Sequence, residues 1–225
     1  GKKANVACKL KKGDSSCPDN YRPISLLAVG YKIFASILLQ GLLDGDADKL
    51  IWDTQFGFRP KVGTSEAVFI ARRSIEKAWA TKGGKIILLA LDWSKAFDCI
   101  SPDALIGALL RFGLLYDLCS MISSIYAGRK FHVCEAGHIS KEHEQHFGIS
   151  QGCPLSPFLF SILMTVLLHD ARQEMMLKGY SLDANLLTEV LYADGTLLVH
   201  SSEQYLTDYT RCIERVGKEY GLTLN

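Results

Sequence analysis

Apolar and polar positions along the chain fall into a few readable periods. Lys85–Leu91 (KIILLAL) follows Gly83-Gly84 as a continuous apolar run, the pattern of a central strand buried on both faces. Asp92 comes at its end. Ser101 suits an N-cap, Pro102 the first helical position and Gly113 the stop, which predicts a helix packing Leu105, Leu109 and Phe112. The same punctuation at Ser156-Pro157 opens a second helix, FLFSILMTVLL, apolar on every side. Leu186–Val199 reads as two short strands around a polar centre, turning at Asp194-Gly195 or one residue earlier at Ala193-Asp194. Lys130–Cys134 and Gln145–Ile149 read as two further strands. Strands and helices of mixed spacing predict an α+β fold with a largely antiparallel sheet.

Two stretches have enough apolar length to raise the question of a membrane. In Ile24–Leu43, Lys32 interrupts the run, and Tyr31, Phe34, Ala35, Leu38 and Leu42 recur at helical spacing, so a core-facing amphipathic helix is expected. Phe158–Leu168 is shorter than the roughly 20 residues a span requires. No membrane partner is expected.

Composition narrows the class. Across 225 residues, 48% are hydrophobic and 22% charged, with a formal net charge of +1, which excludes a disordered charged tail. It also excludes nucleic-acid binding through gross charge alone, so any basic footprint must be local. The first 25 residues do carry five Lys and one Arg against two Asp. That run is either a solvated arm or an entry surface for a phosphate backbone. The seven scattered cysteines include no C-x-x-C pair, which suggests neither a disulfide framework nor a cysteine-rich zinc module. A reducing, intracellular setting (nucleus or cytoplasm) is expected, since GKKANVACKLKKG lacks the apolar stretch of a secretory signal. The sequence sets no oligomeric state.

The chemistry centres on two carboxylates. An acid ending a buried strand is costly unless a partner or cation satisfies it, and Asp92 stands there. If the hairpin carrying Asp194 lies beside that strand, the two side chains can converge on a Mg²⁺ site, and two such ions support phosphoryl transfer. Each Asp could instead simply cap a turn. A second cluster, Cys134, His138, His143 and His146 within CEAGHISKEHEQHF, has a spacing superficially like a zinc site. Its position between two expected strands is more simply a solvated loop.

Six segments then occur in order: NYRPISLL (Asn20–Leu27), QFGFRP (Gln55–Pro60), LALDWSKAFD (Leu89–Asp98), GISQGCPLSPFLF (Gly148–Phe160), LYADG (Leu191–Gly195) and YGLTLN (Tyr220–Asn225). Together they resemble the sequence blocks of reverse transcriptases, most of all those of non-LTR (LINE-type) retroelements and group II introns. The resemblance implies a right-hand polymerase with the thumb absent: fingers about 1–84 and part of 117–147, palm about 85–116 and 148–225, with an antiparallel palm sheet flanked by helices. It implies an RNA template, a DNA primer and dNTPs as partners, and two Mg²⁺ ions as cofactor. Asp92 and Asp194 match the catalytic, metal-binding aspartates, with the Trp93 carbonyl a further ligand. Phe97 matches the bulky residue under the incoming sugar, which disfavours a 2′-hydroxyl. Gln151 and Gly152 match the loop at the templating base and nucleotide, Arg59 and Lys61 the basic fingers block, and Arg22 and Tyr192 positions on the template and primer.

The match has gaps. Tyr192-Ala193-Asp194-Gly195 stands where the family has Tyr-x-Asp-Asp, and glycine offers no side-chain ligand. Val62 replaces a basic residue of the fingers block, and the lysine that normally follows GLxLN lies beyond Asn225. The expectation is a polymerase domain with little or no activity, or else a nucleic-acid-binding remnant of one. An unrelated metal-dependent phosphotransferase would require the ordered blocks to be coincidental.

Overall fold

In chain order, β1 (Lys3–Leu10) and β2 (Tyr21–Leu26) are followed by helices α1 (Val29–Asp44) and α2 (Thr64–Ala80). Next come β3 (Ile87–Leu91), the short α3 (Ala96–Cys99), α4 (Pro102–Phe112) and α5 (Tyr116–Tyr126). Strands β4 (Arg129–Glu135), β5 (His138–Ile139) and β6 (His143–Gln145) lead into the long α6 (Ser156–Leu177). Strands β7 (Glu189–Tyr192) and β8 (Gly195–His200) and helix α7 (Glu203–Glu219) complete the order. This computed structural model describes residues 3–135, 137–181 and 187–225. Leu186, with which the expected hairpin begins, and Ala136 of the Cys/His cluster lie outside them.

The strands form two sheets. One has the order β2-β1-β4-β5, with β6 also paired to β4. Its pairs are antiparallel except β1 with β4, which run parallel from Lys3 opposite Lys130. The other sheet, β3-β8-β7, is wholly antiparallel. The α+β expectation holds, with one parallel pair added.

Helix α6 organises the core. Its residues Phe158 to Leu168 are all buried, which accounts for a stretch apolar on every side. Each fully buried Leu or Phe contributes about 1.5–3 kcal/mol, so this helix is held by packing rather than by propensity. Helix α7 lays Tyr205, Tyr209, Cys212, Ile213 and Val216 against it at helical spacing. The boundaries read for α4 hold: Ser101 Oγ accepts from the Ala104 N–H, and Gly113 takes φ 104° to close the helix.

Several local expectations are corrected. The apolar run 85–91 forms an edge strand rather than a central one, because β8 takes the middle position between β3 and β7. Ile87, Leu89 and Leu91 pack on the core, whereas Leu88 is 38% exposed on the open face. Helix α1 starts only at Val29, since Ile24 to Leu26 belong to β2, and Phe34 is not part of the buried core but 42% exposed. Ser156 is not the cap of α6: it lies inside the first turn, and its hydroxyl sits 3.4 Å from the Tyr126 hydroxyl. Residues 146–149 form no strand. Instead the Gly148 and Ile149 N–H groups donate to the Ile100 and Phe97 carbonyls, which draws this segment onto α3. No helix among the described residues is long and apolar enough to cross a membrane.

Candidate functional site

Strand register brings the two acids together. Leu91 of β3 pairs with Thr196 of β8, so one further step sets Asp92 level with Gly195, next to Asp194. Tyr192 pairs with Gly195, which makes Ala193-Asp194 the two-residue turn, with Ala193 at φ 57°. Of the two turn placements the sequence allows, the earlier one is taken. Asp92 and Asp194 line the same open cleft of about 640 Å³, together with Phe97, Asp98, Gln151 and Gly152. Lys11, Arg22 and Lys95 add positive charge to the lining.

Each wall is fixed by identifiable contacts. The segment Thr223–Asn225 runs antiparallel to Asp92–Ser94: Asn225 N–H donates to the Asp92 carbonyl (2.9 Å) and Ser94 N–H to the Thr223 carbonyl (2.8 Å). Because hydrogen bonding alternates along such a pair, the Trp93 carbonyl points away from that segment. The Asn225 side-chain amide also donates to Asp92 Oδ2 at 2.7 Å and orients the carboxylate. The Trp93 ring is buried against α7, where Gly217 makes room: a Cβ there would lie 2.6 Å from Trp93 Cη2.

The hairpin tip is held from outside its own sheet. Gln55, wholly buried, accepts the Gly57 N–H (2.8 Å) and the Ala193 N–H (3.2 Å) on Oε1, and its Nε2 lies 3.4 Å from the Ala193 carbonyl. The Phe56 N–H donates to the Leu191 carbonyl and the Leu191 N–H to the Thr54 carbonyl, so Thr54–Phe56 acts as a short parallel extension of the sheet. Gly57 passes so close to the turn that a Cβ would stand 2.1 Å from the Ala193 nitrogen. By contrast, Gly195 has no such constraint. It lacks positive φ, and a Cβ there would meet only the Tyr192 carbonyl oxygen at 3.4 Å.

The opposite wall is aromatic and amide. Phe97 stacks on Phe160 at 4.9 Å between centroids and meets the edge of Phe58. Gln151 Nε2 donates to Asp98 Oδ1 (2.9 Å), and its main-chain carbonyl accepts from the Ser25 N–H (2.9 Å). Burial pushes the Asp98 carboxyl above its ordinary pKa, partly offset by the Gln151 hydrogen bond. At Gly152, φ is 109° and a Cβ would come within 2.8 Å of the Ser25 carbonyl oxygen, so glycine is required there.

Not every predicted residue reaches the cleft. The Arg59 guanidinium is turned inward onto Asp48 (Nε to Oδ1, 3.0 Å) and the carbonyls of Asp48, Trp52 and Gln55. Lys61 is exposed, at φ 65°, and is not among the cleft residues. Tyr192 is 45% exposed on the other side of the hairpin, in a hollow bounded by α2. His143 stacks on Phe131, while His138 and His146 are exposed. Among the described residues no three His, Cys, Asp or Glu side chains gather to hold a metal ion, neither at Cys134, His138, His143 and His146 nor in the cleft, where Asp98 is turned to Gln151. Sequence reasoning missed Gln55, Lys11, Asp98 and Asn225. Only the hairpin's position against 54–57 reveals Gln55, since one buried glutamine in a loop carries no periodic signal.

Comparison with protein families matches residues 9–225 to "Reverse transcriptase (RNA-dependent DNA polymerase)". The chain is 30% identical over 215 residues to the Xenopus laevis transposon TX1 149 kDa protein, a match covering 95% of this chain and 16% of that protein. It is 27% identical over 234 residues to the RNA-directed DNA polymerase from mobile element jockey of Drosophila funebris, covering 99% of this chain and 24% of that one. Against a retrotransposable element R2 Pol polyprotein of Nasonia vitripennis, identity is 26%, covering 92% and 20%. The chain therefore spans less than a third of the length of these relatives. Among solved structures, telomerase from Candida tropicalis in complex with a telomeric RNA fragment superposes with a TM-score of 0.71 at 12% identity, covering 100% of this chain and 40% of that one. Telomerase from Candida albicans gives 0.64 at 13% identity, covering 99% and 42%. At such identities the likeness is one of fold.

Proposed function

The chain belongs to the reverse transcriptase (RNA-dependent DNA polymerase) family, and from that premise we propose that it is the polymerase domain of a non-LTR retroelement protein, extending a DNA primer with dNTPs on an RNA template. The observation that carries this reading is the delivery of Asp92 and Asp194 to one cleft by neighbouring strands of a single sheet. The two-sheet division supports the finer assignment. Strands β1, β2 and β4–β6 fall in the fingers ranges (about 1–84 and part of 117–147), and β3, β7 and β8 in the palm ranges (about 85–116 and 148–225).

The oxygen donors suit a hard divalent cation. Asp92, the outward Trp93 carbonyl and Asp194 would hold Mg²⁺, which takes oxygen ligands and shares them with substrate phosphates. When bound, such ions favour ionisation of an attacking hydroxyl and neutralise charge on the leaving phosphates. The chain's own residues do the rest. Asn225 holds the Asp92 carboxylate in orientation, and the Gln55 clamp fixes the turn carrying Asp194. Phe97, braced by Phe160, presents a flat apolar edge that disfavours a 2′-hydroxyl on the incoming sugar. Gln151 and Gly152 border the nascent base pair. Lys11, Arg22 and Lys95 are the basic residues among the cleft's lining, placed for phosphate or template. Arg59, with its guanidinium on Asp48, supports the fingers loop from within rather than reaching into the cleft.

Position 195 sets the level of activity. Gly195 stands where the family's Tyr-x-Asp-Asp box has its second aspartate, and losing several kcal/mol of transition-state stabilisation slows the reaction by about a hundred- to thousandfold. Primer extension on an RNA template with Mg²⁺ and dNTPs tests this in three proteins. The native chain is expected to incorporate little, Gly195→Asp at least about a hundredfold more, and Gly195→Asp with Asp92→Asn nothing above background. A folded Gly195→Asp chain that neither incorporates dNTPs nor binds RNA would overturn the polymerase reading. A second reading, a non-catalytic nucleic-acid-binding remnant, is favoured by Gly195 itself. Salt-sensitive RNA binding without incorporation in Gly195→Asp would select it.

A further inference from the structure

Away from the cleft, a pocket of about 320 Å³ opens between β1, the start of α1, the end of α5 and β4. Leu27, Tyr31, Phe34 and Ile125 give it apolar walls, and Arg129 lies at its base, only 6% exposed. A guanidinium that deep normally faces a carboxylate, because desolvating an uncompensated charge is costly. Among the described residues Arg129 has no acidic partner. Its Nε donates to the Tyr126 carbonyl (3.3 Å), Nη1 to Ser150 Oγ (3.2 Å) and Nη2 to the Gly148 carbonyl (2.6 Å), all neutral acceptors, and the guanidinium also lies over the Tyr126 ring. Burial lowers its pKa, the direction expected of a cation lacking a counter-charge. The neighbouring phenols of Tyr31 and Tyr126 supply none, since burial drives both well above their ordinary range and keeps them neutral.

The acid that pairs with the lining lysines Lys3 and Lys130 is already committed. Glu142 takes Lys3 at 2.5 Å and Lys130 at 2.7 Å, and that pairing holds its carboxyl down at about 2. Of the five N–H groups on an arginine, three are used in Arg129, which leaves one on each terminal nitrogen. Two donors on adjacent nitrogens match the two oxygens of a carboxylate. Aromatic and aliphatic walls above them match an apolar body, and the volume is that of a small-ligand site.

We propose that this pocket binds a compact amphipathic carboxylate, its apolar body against Tyr31, Phe34 and Ile125 and its two oxygens on Arg129. The site is separate from the Asp92–Asp194 cleft, and nothing in it depends on the polymerase reading.

Ligand-observed NMR on the full chain with benzoate as probe tests it, with benzyl alcohol as the neutral counterpart and phenyl phosphate as the dianionic one. Benzoate is expected to bind with a Kd on the order of 1 mM or tighter, and benzyl alcohol at least about tenfold more weakly. Arg129→Gln is expected to abolish the preference for benzoate. Because Arg129 also ties Tyr126 to the 148–150 loop, a second variant leaves it in place. Gly30→Leu, where a Cβ would meet no atom within 4 Å, fills the mouth and is expected to weaken benzoate at least about tenfold with an unchanged unfolding midpoint. Equal binding of benzoate and benzyl alcohol, tighter binding of phenyl phosphate, benzoate binding undiminished in Gly30→Leu, or no benzoate binding at about 10 mM would each overturn the proposal.

Discussion

Replacing Gln55 by leucine tests whether the hairpin that carries Asp194 is held by the 54–57 segment. Leucine has a similar volume and keeps the site filled, so the change isolates the amide. Two buried N–H groups, on Gly57 and Ala193, lose their acceptor, since both donate to Gln55 Oε1 at 2.8 and 3.2 Å. Each orphaned buried donor costs about 1–3 kcal/mol. The contact from Nε2 to the Ala193 carbonyl is long at 3.4 Å and adds little. A loss of about 3–4 kcal/mol is therefore expected. With a urea m-value near 2–3 kcal/mol/M, the unfolding midpoint falls by about 1–2 M. Hydrogen exchange adds location: the Ala193 and Gly57 amides should speed up far more than those of α6, which is buried along most of its length. A loss below about 1 kcal/mol, or exchange that accelerates evenly across the chain, would show that the turn is held by its own sheet and refute the reasoning.

Other substitutions have equally definite outcomes. Gly57→Ala brings a Cβ against the Ala193 main chain, where neither backbone can yield cheaply, so a cost of about 3 kcal/mol or more is expected in the same denaturation assay. Gly195→Ala should change stability by no more than about 0.5 kcal/mol, because position 195 lacks positive φ and a Cβ there meets only the Tyr192 carbonyl oxygen, at 3.4 Å. Arg172→Met strips the fully buried Glu189 of its cation while Tyr209 still donates to it at 3.3 Å. Unpairing a buried charge costs about 3–5 kcal/mol, read as a lower thermal midpoint. Asp98→Asn tests the burial of that carboxyl. A folded-state pKa above the usual 3.8 means that Asp98 favours the folded state below that pH and loses this contribution as pH rises through its raised pKa. The variant should thus be the more stable of the two at pH 7, and the gap should close below pH 3.8 in paired urea titrations. An equal gap at both pH values would contradict this.

Residue type and short-range order settled the elements whose signals are local. The Ser101 cap, the Gly113 stop and the all-apolar α6 were legible because capping geometry and burial on every side leave their mark within a few residues. Asp92 and Asp194 stood out as charge at the end of an apolar run and at a turn, and the fold brings them to one cleft, while the ordered blocks around them pointed to the family that the comparisons show. Which strand lies in the middle of a sheet is a different kind of fact. The run 85–91 looks central by hydrophobicity, yet β8 holds that place because its hairpin partner and β3 pair on opposite edges. Tertiary packing likewise turned Arg59 inward onto Asp48, moved Tyr192 to the far side of the hairpin, and made Gln55 the clamp on the turn. Such outcomes depend on which distant backbone groups need a partner once the chain is folded. Hydrogen-bond demand of that kind is set by contacts 138 residues apart along the chain, as from Gln55 to Ala193, and leaves no period for a sequence to display.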